Sequence, residues 1–135
     1  MNTITVIAKV KASLAHVWEK WTEPQHVINW NFASADWHCP DAENDLRVGG
    51  KFTYIMAARD GQMSFPFSGV YTEVADQQHI AYVMADGRKV LVEFKQTPDG
   101  VVVTETFDPE NENPVEMQQA GWQAILNQFK QYAEQ

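Results

Sequence analysis

His38 and Cys39 stand side by side, with Asp36 two residues before the histidine and Asp41 two after the cysteine. Imidazole, thiolate and carboxylate are the usual ligands of zinc, and a thiolate beside an imidazole is also the pairing of a cysteine nucleophile. The spacing favours neither. Adjacent residues cannot easily aim both side chains at one ion, no CxxC, HxxxH or HExxH pattern accompanies them, and His16, His26 and His79 fall elsewhere. No metal site and no cofactor are expected. The same stretch, NWNFASADWHCPD at residues 29–41, also holds Trp30, Phe32 and Trp37 without a helical or strand period. Loops are usually polar. With a metal site set aside, this one can be a reactive thiol, a partner surface or the lid of an apolar pocket.

Glu105 is the second group with chemical potential. It lies in VVVTETF, residues 101–107, where Val101, Val103 and Phe107 share its strand face. A carboxylate in an apolar row must be hydrogen-bonded or hold its proton more tightly than usual. It can orient a ligand or act as a general acid or base. It can equally be a structural partner for Arg47, Lys51 or a tyrosine hydroxyl. The Gly49-Gly50 pair precedes a strand, not a helix, so it is no phosphate cradle, and no Gly-x-Ser-x-Gly pattern is present.

The elements that must position these groups follow from periodicity. Residues 3–11 alternate, with Ile4, Val6, Ala8 and Val10 on one face. Ser13 caps a short helix whose Leu14, Val17, Trp18 and Trp21 share a side, and Thr22-Glu23-Pro24-Gln25 reads as the start of a second. From residue 48 to 107 the period is two, interrupted by Asp60-Gly61, Asp86-Gly87 and Asp99-Gly100. Asp-Gly between alternating runs signals a hairpin. Apolar phase then pairs Met56 with Phe65, Tyr54 with Phe67, and Phe52 with Gly69. It asks for a three-residue loop at Ala85-Asp86-Gly87. At the third turn a two-residue Asp-Gly loop pairs Phe94 with Glu105 and Val92 with Phe107.

Five meander strands and the first strand make an antiparallel sheet of about six. Asn113-Pro114-Val115-Glu116 opens the last helix, with asparagine as cap. Its apolar face carries Met117, Gly121, Trp122, Ile125, Leu126, Phe129 and Tyr132. A mid-helix glycine costs roughly 1 kcal/mol against alanine. Gly121 therefore marks either a close approach to the sheet or space left for something else.

The segments RVGGKFTYIM, FPFSGVYTEV, VWEKWTEPQHVINW and VTETFDPENENPVEMQQAGWQAILNQFKQYAE, in the order the chain places them, resemble the SRPBCC (START-like) superfamily. They are most similar to its bacterial branch named after the activator of the heat-shock-protein-90 ATPase. The resemblance spans essentially the whole chain, a single domain over residues 1–135. It implies an α+β helix-grip fold: a curved antiparallel sheet wrapped around a long C-terminal helix, with two short helices after the first strand. It also implies a cavity between sheet and helix, without implying one chemistry.

Composition narrows the partners. A net charge of −8 and no basic cluster argue against nucleic acid and anionic membrane surfaces. No segment has the apolar length of a membrane span, residues 1–18 do not read as a signal peptide, and one cysteine gives no internal disulfide. A cytoplasmic monomer or homodimer is expected. The inner face carries Phe52, Tyr54, Met56, Phe65, Phe67, Tyr71, Tyr82, Met84 and Phe94, a lining suited to a small hydrophobic molecule or lipid. Trp30, Phe32 and Trp37 would cover its mouth, and Met117, Gly121, Trp122 and Ile125 would form its helical wall. The leading expectation is a non-catalytic binder with Glu105 as its polar group. A protein-interaction module of the chaperone-activator kind, and a cyclase or hydrolase working through Glu105, are the alternatives.

Overall fold

The fold is that of a computed structural model, which describes residues 2–135. β1 (Ile4–Val10) buries its even-numbered residues and exposes the rest. α1 (Leu14–Thr22) starts at Ser13, whose Oγ accepts the His16 N–H at 3.3 Å, and buries Val17, Trp18 and Trp21. Thr22 does not cap the next helix. Its hydroxyl donates to the Trp18 carbonyl at 2.8 Å, because it still belongs to the last turn of α1. α2 (Pro24–Val27) follows from Glu23 with no side-chain cap.

The sheet has seven strands in the order β1-β7-β6-β5-β4-β3-β2. The strand that periodicity missed is β2 (Trp37–Asn44), inside the stretch read as irregular. A register shift between His38 and Asp41 interrupts its alternation, and Pro40 sits in the shift, where no ladder donor is needed. β2 is an edge, and the bulge, the proline and the acids Asp41 and Glu43 blunt it against pairing with another chain.

β3 (Lys51–Ala58) and β4 (Ser64–Ala75) pair in the expected register, Met56 with Phe65, Tyr54 with Phe67 and Phe52 with Gly69. A Cβ on Gly69 would lie 2.7 Å from Phe52 and 2.9 Å from Tyr82, so the glycine makes room for two rings. β5 (His79–Met84) and β6 (Lys89–Thr97) are joined through the three-residue loop, with Gly87 at φ +91° and Met84 N–H donating to the Arg88 carbonyl at 2.8 Å. β7 (Gly100–Phe107) departs from expectation: Glu105 pairs with Val92 and Phe107 with Val90. Pro98-Asp99 forms the loop and Thr97 pairs with Gly100, because proline presets φ for the first turn position. The displacement is two residues, so every side chain keeps its face.

α3 (Val115–Ala133) begins with Pro114 at the cap position. Asn113 is turned away from the helix, and its amide donates to Glu110 Oε2 at 3.2 Å. Buried Gln118 ties down the approach instead: its Oε1 accepts the Glu110 N–H at 2.9 Å, and its Nε2 donates to the Glu110 and Asn113 carbonyls at 3.1 and 2.8 Å. α3 also covers the β1 edge, where Gln123 exchanges hydrogen bonds with the Ile7 backbone and Gln119 donates to the Thr5 carbonyl.

Candidate functional site

α3 packs on the interior through Trp122, the fully buried Leu126 and Phe129. Two turns into the helix Trp122 stacks on Phe107, ring centroids 3.8 Å apart and planes 13° from parallel. Two turns later Phe129 inserts its ring edge-on against Trp21 and Trp30, at 4.8 and 4.9 Å. Between sheet and helix lies a pocket of about 390 Å³. Gly121 borders it, and a Cβ there would meet nothing within 4 Å. The glycine is not accommodating a close helix–sheet contact; it faces open space.

The wall is aromatic. Phe52, Tyr54 and Met56 come from β3, Phe65, Phe67 and Tyr71 from β4, and Ile80 and Tyr82 from β5. Trp122 and Ile125 face them from α3. Trp21, Trp30, Asn31, Ala33 and Trp37 close one end. Trp37 packs edge-on to Phe65 at 5.8 Å, and Phe65 itself is 44% exposed, which places this pair at the mouth.

Only Glu105 and Arg88 carry charge-bearing groups among the described lining residues. Arg88 is engaged: its Nε donates to Asp86 Oδ2 at 2.8 Å and Nη1 to the Asp108 carbonyl at 3.4 Å. Glu105 is 5% exposed, and among the described residues its carboxyl has no hydrogen-bond or ionic partner. Burial alone pushes it up from 4.5 to about 8, so at neutral pH it holds its proton. The expected partners are elsewhere: Arg47 pairs with Asp45 at 2.9 Å, and Lys51 points to solvent. Burial, and secondarily the Glu105 carboxylate, hold the Tyr82 phenol well above its usual range. Tyr71 is raised to about 12 by burial, and its hydroxyl donates to Asn44 Oδ1 at 2.6 Å, whose Nδ2 donates to the Thr22 carbonyl at 2.7 Å. Burial also raises the Tyr54 phenol.

The pocket gathers Trp30, Trp37, Phe52, Tyr54, Met56, Phe65, Phe67, Tyr71, Tyr82, Glu105, Gly121, Trp122 and Ile125. Four residues assigned to it from sequence lie elsewhere. Phe94 is buried under α1 against Trp18 and Trp21, at 5.2 and 5.7 Å. Met84 is core, opposite Gly69, and half-buried Phe32 does not reach the lining. Met117 is 60% exposed, because Gln118 takes the buried position in the first turn of α3. Sequence reasoning missed Trp21, Asn31, Ala33, Ile80 and Arg88. Trp21 stood on the apolar side of the first short helix and Ile80 shares the strand phase of Tyr82, whereas nothing in the local pattern marks Asn31, Ala33 or Arg88.

The metal-capable groups do not converge on this pocket. The Cys39 thiol is buried, donates to the Asp41 carbonyl at 3.4 Å and is raised by burial, which makes it a poor nucleophile. Glu19, Glu23 and His26 cluster on α1 and α2, but Lys20 Nζ lies 3.4 Å from His26 Nε2, and the Tyr132 hydroxyl holds Nδ1 at 2.7 Å.

A curved antiparallel sheet gripping one long helix over an apolar pocket defines a helix-grip protein. The chain belongs to the family described as Activator of Hsp90 ATPase homolog 1-like protein, whose model matches residues 11–134, and so to the SRPBCC superfamily. Its structure is similar to that of the AHSA1-like protein from Aeromonas hydrophila, at 43% identity, 98% of this chain, 92% of that one and a TM-score of 0.93. A protein from Cytophaga hutchinsonii is 52% identical over 99% of this chain and 93% of that one, with a TM-score of 0.85. A protein from Chromobacterium violaceum shares the fold at 22% identity, with a TM-score of 0.88 over 100% of this chain and 99% of that one. No curated protein matches. No described helix is long and apolar enough to cross a membrane.

Proposed function

We propose that this protein binds a small apolar or aromatic ligand between the sheet and α3, without catalysing a reaction on it. The observation carrying this reading is Gly121, a helix-weakening residue placed over open space in a pocket otherwise walled by large rings. A sequence selected only for packing would fill that space, since voids cost stability. The volume lies in the range of small-molecule sites, and a few polar groups among apolar walls are their usual make-up. Titration with the neutral dye N-phenyl-1-naphthylamine tests it: saturable fluorescence enhancement, displaced by competing hydrophobic compounds, is the expected result. Absence of enhancement, together with no retained small molecule in native mass spectrometry, would remove the reading.

The family description supports a second reading, a protein-interaction module acting on a chaperone ATPase. Met63 and Phe65, exposed near the β3–β4 turn beside the pocket mouth, are the apolar contacts such a partner would meet. Unchanged ATP turnover of a purified bacterial Hsp90-type chaperone on addition of this protein would discard it.

A further inference from the structure

Resting on the ligand-binding reading, we propose that the pocket selects an aromatic or alicyclic amine, bound as its ammonium ion against Glu105 and the surrounding rings. Three observations converge. The Glu105 carboxyl is buried in the wall without a partner among the described residues, so a cationic donor would supply what the protein withholds. Tyr82 and Trp122 line the same pocket, and aromatic faces attract a desolvated cation. Arg88, the only cation among the described lining residues, is occupied by Asp86 and the Asp108 carbonyl, so an anionic ligand finds no free counter-charge. The overall charge of −8 adds a field that draws cations in.

The protons balance simply. In the free protein at mildly acid pH, Glu105 is protonated and the amine in solution is an ammonium ion. Pairing them ionises Glu105, and one proton leaves to the buffer. Of the titrating and charged groups, Tyr82 from β5 interacts with Glu105, and Tyr54, Tyr71 and Arg88 line the same pocket. Tyr82, raised well above its usual range, stays neutral through the measurement, and Arg88 stays charged.

The test uses three probes with one apolar body: naphthalene bearing an aminomethyl, a hydroxymethyl or a carboxylate group at the same position. Calorimetry at about pH 6.5, in two buffers of different ionisation enthalpy, reads both affinity and proton release. The amine should bind about tenfold or more tightly than the alcohol, with the carboxylate weakest, and should release close to one proton per ligand. Glu105→Gln should level amine and alcohol while leaving alcohol binding in place. Tightest binding by the carboxylate, amine binding without proton release, or an amine preference that survives Glu105→Gln would each overturn the amine assignment and leave the binding reading standing. Failure of all three probes to bind would overturn both.

Discussion

The Trp122 indole lies flat on the Phe107 ring, centroids 3.8 Å apart, and this stack joins α3 to β7 two residues beyond Glu105. The same indole meets Phe67 edge-on at 6.0 Å, so one side chain bridges distant strands of the sheet through the helix. It works as a spacer, fixing how far α3 stands from the concave face.

Removing that spacer should cost stability and shape together. Trp122→Ala loses the stack and much buried area, a loss of about 3 kcal/mol. Urea unfolding should show the midpoint falling accordingly, and dye binding should weaken because the helix settles. A variant of unchanged midpoint would show that Leu126 and Phe129, the latter packed edge-on against Trp21 and Trp30, hold α3 without it.

Gly121 invites the opposite experiment. Alanine there meets no neighbour within 4 Å and improves helix propensity, so Gly121→Ala should gain up to about 1 kcal/mol in urea unfolding. Gly121→Leu reaches further into the pocket. It should keep the fold while weakening N-phenyl-1-naphthylamine binding about tenfold or more, a loss of roughly 1.4 kcal/mol. Full affinity in a folded leucine variant would place the dye elsewhere.

Glu105 sets a pH signature. Its folded value of about 8 lies above its ordinary 4.5, so between these values the native state holds a proton that the unfolded chain has released. Stability contributed by the neutral carboxyl is complete below about 4.5 and lost as pH rises through about 8. The integrated loss is on the order of 5 kcal/mol. Asp86 and Glu134, both lowered, act with opposite sign only at the acid end. Unfolding midpoints of Glu105→Gln should therefore vary less between about pH 5 and 9 than those of the parent protein, and exceed them at the alkaline end. Parallel profiles would mean that Glu105 is solvated.

Sequence alone made most of this architecture legible, and the exceptions have physical causes. Alternation fixed the inner faces of β3 to β7, since a strand with one buried face cannot slip by one residue without exposing its core. It could not see a slip of two, so the β6–β7 register turned on Pro98, whose fixed φ outweighed the Asp-Gly signal. β2 stayed hidden because its bulge breaks the period at His38 to Asp41. Met117 and Gln118 show the limit of hydrophobic pattern: the buried residue is the polar one, since the three orphan groups of Glu110 and Asn113 need a partner. Arg88 and Asn31 reach the pocket through tertiary packing, for which no local signal exists.

Trp37 provides the last test, because it separates a lid from a core residue. Trp30 is buried, its indole N–H donating to the Lys20 carbonyl at 2.9 Å while its ring packs on Trp21 and Phe129. Trp37 is half-buried on an edge strand, and its ring partner is the exposed Phe65. Truncation at a half-exposed site costs little stability, whereas truncation of a fully packed aromatic costs about 3–5 kcal/mol. Trp30→Ala should therefore unfold the protein at much lower urea. Trp37→Ala should leave the urea midpoint nearly unchanged while N-phenyl-1-naphthylamine affinity falls several-fold, chiefly through faster release of the dye. Stopped-flow dissociation read beside equilibrium unfolding checks both halves. If Trp37→Ala instead lowers the midpoint and leaves release unaltered, Trp37 is a structural clasp between β2 and β4 and the pocket mouth lies elsewhere.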